Sequence, residues 1–304
     1  DFLIQQGVQL TEEDRYAEAN EVIDKALNVI NLIEYDDTKN EQYKKVIQTI
    51  HDAGKRCIDQ EKMGLAFQVF ENSQRVIEKL EDSNLRDNEF VELVDLLLTL
   101  GKETISQGNF TDAFSDFEKA LDLVGKIENE EFRSSELATV KDLYKKELNH
   151  YAEIKIQEES FEDAITSCEK AIELDDRHFP SYFNLANAHR LSSNFEEAIQ
   201  AYQDAIALDP QASEAHNNLG LTYEQINDYG KAVNSFREAV ELKPDYAEAW
   251  YNLGNAYKHK NELDSAIDAY ERAVHLDPDM TLALFFMGGC YFQKKNYDQA
   301  LEYL

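Results

Sequence analysis

Eight times along the chain a Gly or Ala is followed twelve residues later by an Ala. The pairs are Gly7/Ala19, Gly54/Ala66, Gly101/Ala113, Ala152/Ala164, Ala186/Ala198, Gly220/Ala232, Gly254/Ala266 and Gly288/Ala300. A third small residue follows seven positions later in each copy long enough to hold it: Ala26, Ser73, Ala120, Ala171, Ala205, Ala239 and Ala273. Two antiparallel helices need small side chains where they cross, because only there do their backbones approach closely. The pattern predicts an all-α solenoid of about eight antiparallel helix hairpins. A solenoid grows by adding units, so the length of 304 residues says little about the number of separate cores.

Composition narrows the function classes. Glycine and proline are scarce, at 11 and 4 residues, and six of the glycines open a small pair. The net charge is −31. Residues 1–144 carry 16 Lys+Arg against 32 Asp+Glu, and residues 145–304 carry 14 against 29, so the acidity is spread and is not a tail. Nucleic-acid binding and adhesion to an anionic membrane both need clustered Lys and Arg, and both are argued against. A basic partner is steered toward such a chain, although acidic faces also simply keep a solenoid soluble. Cys57, Cys168 and Cys290 are far apart on apolar repeat positions, which reads as reduced packing residues of an intracellular, cytoplasmic protein. No run approaches the ~18 apolar residues of a membrane span, so no membrane insertion is expected. The chain opens in mid-repeat and stops inside a predicted helix, which reads as a piece of something longer.

The last four units are 34 residues apart, starting near Phe179, Ser213, Ala247 and Thr281. In the third of these, Trp250, Leu253, Gly254, Tyr257, Ala266, Tyr270, Ala273 and Pro278 occupy all eight signature positions of the tetratricopeptide repeat family, which this segment resembles closely. The units at Ser213 (Leu219, Gly220, Tyr223, Ala232, Phe236, Ala239, Pro244) and Phe179 (Tyr182, Leu185, Ala186, Ala198, Tyr202, Ala205, Pro210) match nearly as well. A degenerate unit at 145–178 has Asp176 where proline is expected. Pro210, Pro244 and Pro278 are each predicted to close a second helix. The resemblance implies a right-handed superhelix whose first helices line a concave groove.

Residues 1–144 depart from this pattern. Units starting near Asp1, Ile47 and Val94 are spaced 47, 47 and 51 residues apart, a length shared with HEAT-like repeats. Tetratricopeptide-like hairpins with helices a turn or so longer and looser connections are expected. Thr38-Lys39-Asn40-Glu41 is a capping-box pattern, Asp87 or Asn88 is a candidate cap for the next helix, and Ser134 or Ser135 for the one after. Two segments are therefore expected, 1–144 with stretched spacing and 145–304 as a regular array cut within its last repeat.

No catalytic, cofactor or metal motif is present: no phosphate-binding glycine loop, no nucleophile elbow, no His-Glu-x-x-His helix. The seven histidines show no metal-ligand spacing, and His189 and His216 stand on aromatic signature positions as packing residues. No enzyme activity is expected from these residues.

Binding surface is the positive signal. Positions two, five, six, nine, twelve and thirteen of each unit are expected to face the groove. Asn184, Asn218 and Asn252 stand at position six, Asn187 and Asn255 at position nine with Leu221 between them. An amide both donates and accepts, so such a row suits the backbone of an extended peptide. One asparagine per repeat meets roughly every third residue of an extended chain. Similar rows occur in the tetratricopeptide arm of O-linked N-acetylglucosamine transferases and, as background, in tetratricopeptide sequences generally. Phe183 and Tyr251 at position five add aromatic anchors, and Phe285, Phe286 and Phe292 form a second patch that a following repeat would cover. Arg190 and Lys258 are the groove cations, suited to a ligand carboxylate or to pairing with Glu224. Chaperone-tail adaptors of the family use Lys at position five; here stand Phe183, Asn217 and Tyr251, so an acidic chaperone C-terminus is not the expected ligand. The expected role is a non-catalytic scaffold or adaptor for a neutral or basic protein or peptide. The alternatives are a substrate-recruiting arm of a larger enzyme and an architectural subunit of a cytoskeletal or ciliary assembly.

Overall fold

The computed structural model describes residues 2–13, 15–34 and 36–303; Asp1 and Leu304, where the sequence opens and stops, lie outside them. Among the described residues the regular structure is sixteen α-helices. The chain divides into two compact units, 1–144 and 145–304. In the first lie α1 (Phe2–Glu12), α2 (Tyr16–Ile30), α3 (Asp36–Asp59), α4 (Met63–Ile77), α5 (Ser83–Ser106), α6 (Phe110–Val124) and the start of α7 (Glu130–Gln157). In the second lie the end of α7, then α8 (Phe161–Leu174), α9 (Phe179–Leu191), α10 (Phe195–Leu208), α11 (Ser213–Gln225) and α12 (Tyr229–Leu242). It closes with α13 (Ala247–His259), α14 (Leu263–Leu276), α15 (Thr281–Gln293) and α16 (Tyr297–Tyr303). The fold is a solenoid of helix hairpins, as the small-residue spacing predicts.

Each hairpin is built around the same crossing. In all eight, the first small residue stands five positions before the end of its helix, and its Ala partner is the fourth residue of the next. Three residues join them. At the middle of the turn the backbone is left-handed: Glu61, Glu159, Ser193, Asn227, Asn261 and Lys295 have φ of 60–66°, and Gly108 takes the place at φ 80°. At Gly54, Gly101, Gly220 and Gly254 the closest neighbour of the crossing glycine is a ring, whereas at Gly7 it is Ile23. A Cβ built on Gly254 falls 2.6 Å from Tyr270 Cε1, on Gly220 2.6 Å from Phe236 Cε1, and on Gly101 2.7 Å from Phe117 Cε1. Each ring stands sixteen residues after its glycine and is fully buried. Burial of one such side chain is worth roughly 1.5–3 kcal/mol. The third small residues, Ala171, Ala205, Ala239 and Ala273, are likewise wholly inside.

The stretched spacing of residues 1–144 has one physical source, which differs from the looser connections expected. Helices α3 and α5 have 24 residues and α7 has 28, against 13 in α9, α11, α13 and α15. Eleven extra residues are about three turns. The links before these long helices hold five residues, one more than in the regular repeats, so they are not loose. Because the glycine-to-end distance is constant, the added turns all precede the crossing.

The expected caps are corrected accordingly. Helix α5 begins at Ser83, capped by Asp82, whose carboxylate accepts from Leu85 N at 3.0 Å. Asp87, inside that helix, instead accepts from Glu128 N (2.9 Å) and Asn129 N (2.7 Å) at the approach to α7. Asn129 caps α7 through Glu131 N and Phe132 N, so Ser134 and Ser135 lie within the helix. Thr38 sits in the first turn of α3, which starts at Asp36. The prolines behave as expected: α10, α12 and α14 end two residues before Pro210, Pro244 and Pro278. The carbonyls of two of them are then read by the next repeat, Pro244 O by Trp250 Nε1 at 3.0 Å and Pro210 O by His216 Nε2 at 3.3 Å.

Candidate functional site

The first helices of the second unit, α9, α11, α13 and α15, carry the candidate residues, and helical spacing brings them onto one row. Their asparagines are bonded to one another across repeat boundaries. Asn184 Nδ2 donates to Asn149 Oδ1 (3.4 Å) and Glu153 Oε1 (3.3 Å) on α7. Asn218 Nδ2 donates to Asn187 Oδ1 (3.1 Å), and Asn252 Nδ2 to Asn217 Oδ1 (3.1 Å). Asn184 and Asn252 are buried, while Asn187, Asn218 and Asn255 are half-buried. Asn149 and Asn217, which hold the neighbouring ends of two of these links, stand at position five of their units.

The position-nine asparagines have a further constraint. Tyr202 OH donates to Asn187 Oδ1 at 2.5 Å, and Tyr270 OH to Asn255 Oδ1 at 2.7 Å. A buried phenol needs an acceptor, and the asparagine fifteen residues earlier supplies it. Where the ring is Phe236, the residue at that place is Leu221. The pair Asn/Tyr or Leu/Phe is legible in the sequence at a spacing of fifteen, a signal the single-residue reading passes over. With both oxygens pinned, the Nδ2 groups of Asn187 and Asn255 are left as donors two repeats apart.

The aromatic residues flank this row. Phe183 stacks on Phe179 with centroids 5.7 Å apart and meets Tyr202 edge-on. Tyr251 lies 6.1 Å from Tyr270 and 6.2 Å from Phe286. Phe285 and Phe292 are 57% and 58% exposed, whereas Phe286 is half-buried under Lys258 Nζ, 3.7 Å from its ring centroid. Both groove cations have internal partners: Arg190 Nε donates to Tyr202 OH at 3.3 Å, and Lys258 faces Phe286 with Glu224 nearby. Burial pushes the Lys258 ammonium below its ordinary range, against the opposing pull of Cys290 and Glu224. Burial also pushes the Glu224 carboxyl up, with Lys258 opposing. His259 stacks on Tyr229 at 4.6 Å, within 4.0 Å of Glu224.

A concavity elsewhere in the second unit carries no mark in the sequence. A groove of about 740 Å³ opens between α12, α13 and α14, lined among others by Arg237, Glu241, Trp250, Tyr257 and His275. It uses positions four and eleven of the α13 repeat, which sequence patterning assigns to packing.

Family models described as tetratricopeptide repeat match residues 148–178, 167–200, 217–281 and 259–304, and one described as TPR repeat matches 188–227. The chain belongs to the tetratricopeptide repeat family. That membership is carried by residues 148–304; the hairpins before them stand on their geometry. A comparison with curated proteins returned no match. Among solved structures, a MamA protein is 26% identical with a TM-score of 0.50, covering 53% of this chain and 87% of that one. MamA from Desulfovibrio magneticus RS-1 is 21% identical with a TM-score of 0.50, covering 53% and 90%. PilF of Pseudomonas aeruginosa is 21% identical with a TM-score of 0.49, covering 54% and 74%. As a tetratricopeptide repeat array the chain is a protein–protein interaction scaffold. Among the described residues no helix is long and apolar enough to cross a membrane. Cys57, Cys168 and Cys290 are buried, and burial pushes the Cys168 thiol up to about 12.

Proposed function

We propose that the array is a non-catalytic cytoplasmic adaptor that holds an extended segment of a neutral or basic protein along the first helices of residues 145–304. The observation that supports this is the pair of oriented amides: Asn187 and Asn255, each fixed by a tyrosine hydroxyl, retain Nδ2 donors suited to backbone carbonyls. Asn184, Asn218 and Asn252 form the floor of the row, held by their links to neighbouring repeats. Phe183 and Tyr251 supply apolar contacts beside it, and Phe285, Phe286 and Phe292 extend them on α15. Two repeats at about 8–10 Å each correspond to roughly five or six residues of extended chain between the donors. Arg190 and Lys258 already face internal partners, so a ligand carboxylate has little to attract it, while the charge of −31 favours a basic segment.

The test is a screen of random extended peptides of basic, neutral and acidic composition against the wild-type chain and N187A/N255A. Basic or neutral binders that lose at least tenfold in affinity with the double variant, and weaken as salt rises, support the reading. Binders indifferent to both asparagines, or an acidic set that wins, overturn it.

A further inference from the structure

In the first unit one histidine stands apart from the packing role read for His189 and His216. His51, on α3, is completely buried. Its Nε2 is within 2.7 Å of Ser73 Oγ on α4, while Nδ1 makes no aligned hydrogen bond although it too is buried. Nδ1 points toward α5, where Glu92 Oε1 lies 3.3 Å away and Glu89 completes a group of three. One ligand atom from each of His51, Glu89 and Glu92 lies within 4.8 Å of the other two. Glu89 and Glu92 are three apart on one helix, which sets both carboxylates on the same face. Glu89 is buried as well, 6% exposed. Lys55 stands at the edge of the group, its Nζ 3.5 Å from Glu92 Oε1, and Lys44 lies close enough to act on Glu89.

We propose that His51, Glu89 and Glu92 form a binding site for a zinc-class divalent cation that ties α3 to α5. The donor set is one imidazole nitrogen and two carboxylates, which suits zinc and its first-row neighbours and leaves at least one position for water. Imidazole argues against magnesium and calcium, which take oxygen ligands. The 3.3 Å between Nδ1 and Oε1 is close to the edge of a tetrahedron with bonds of about 2.0–2.1 Å, roughly 3.4 Å. Ser73 Oγ lies within hydrogen-bond reach of Nε2, and with Nε2–H donating to it the lone pair of Nδ1 is free for the ion. Two carboxylates then balance the ion's charge, and the buried nitrogen gains the partner it lacks. The ion links the first helices of two successive hairpins, so its effect is to clip neighbouring repeats together.

The chain, freed of metal by chelation, is titrated with Zn²⁺ by calorimetry and with Co²⁺ by visible absorption. One strong site is expected, with a tetrahedral cobalt spectrum and no binding of Mg²⁺. The nitrogen-15 signal of His51 Nδ1 shifts on zinc addition. E92Q, at a half-exposed position that leaves folding intact, lowers affinity by roughly tenfold or more, as does E89Q. S73A lowers it by about tenfold through the imidazole orientation. H150Q, at a surface histidine, leaves the strong site unchanged. The proposal is overturned if E92Q binds zinc as the wild type does, if the His51 signal stays in place, or if H150Q removes the site.

Discussion

Replacing Gly254 by Ala tests the crossing on which every hairpin depends. In an ordinary helix interior the change stabilises by about 1 kcal/mol, because Ala loses less backbone freedom. At Gly254 the new Cβ falls 2.6, 2.7 and 3.0 Å from Cε1, Cδ1 and Cζ of Tyr270. That ring is fully buried and its hydroxyl is held by Asn255, so it cannot swing aside freely. Overpacking of this kind costs typically 1–3 kcal/mol. The chain itself places a limit on the cost, since Ala186 faces Tyr202 at the same register in α9 and α10. The lower half of the range is therefore expected, a net change between about zero and 1 kcal/mol of destabilisation. Gly289→Ala is the control, because a Cβ there meets nothing within 4 Å. Both variants share the propensity gain, so their difference isolates the steric cost at about 1–2 kcal/mol. Urea unfolding followed by circular dichroism gives the global values, and amide exchange in α13 and α14 gives the local ones, which matters because repeat arrays open in parts. If G254A is as stable as G289A, the close ring contact is not what selects glycine and the reasoning fails.

Two further perturbations bear on the first unit. Burial pushes the Asp116 carboxyl up to about 7, with Asp112 adding to the rise and Thr104 opposing it. The folded state thus holds its proton where the unfolded chain has released it, so stability present below about pH 4 is lost as pH rises toward 7. Asp116→Asn removes that dependence and stabilises the chain at pH 8, with a ceiling of about 4 kcal/mol; melting curves at pH 4 and pH 8 that shift equally would refute it. Asp87→Ala removes the buried carboxylate that accepts from the N–H groups of Glu128 and Asn129 and is expected to cost about 2–4 kcal/mol. A loss below about 0.5 kcal/mol in urea unfolding would show that water replaces the carboxylate at that turn.

What the sequence made legible follows from which residues carry a fixed mark. The crossing requires a small residue at a set distance from both helix ends, so Gly54/Ala66 or Gly254/Ala266 can be found by spacing alone. The extra turns of α3, α5 and α7 carry no such mark. Their first residues need only be helical and partly apolar, so the extra spacing was divided between helices a turn or so longer and looser connections. Caps fail for a related reason. Asp87 is a good cap residue by type, yet it serves the approach to α7, 41 residues away, because tertiary contact decided its partner. The asparagine row was visible as residues and not as bonds. Only the comparison of Asn187 and Tyr202 with Leu221 and Phe236 reveals that one function of position nine is to satisfy a buried phenol. His51, Glu89 and Glu92 come from two helices and have no sequence spacing in common.

The constancy of the crossing also explains where new chemistry can arise in such an array. Five residues always follow the first small residue to the end of its helix, so an insertion there would displace the turn and the ring beneath it. Additional residues are accommodated only ahead of the crossing, at the free N-terminal end of a first helix. Glu89 and Glu92 precede Gly101 by twelve and nine residues, beyond the seven that precede the glycine of a 13-residue first helix such as α13. Both belong to the added turns of α5. His51, by contrast, stands at position five of its own unit, the place held by Asn149, Asn217 and Tyr251 in the second. The long helices thus bring carboxylates from an extension against a position that every repeat offers, a juxtaposition the 34-residue units have too little helix to make.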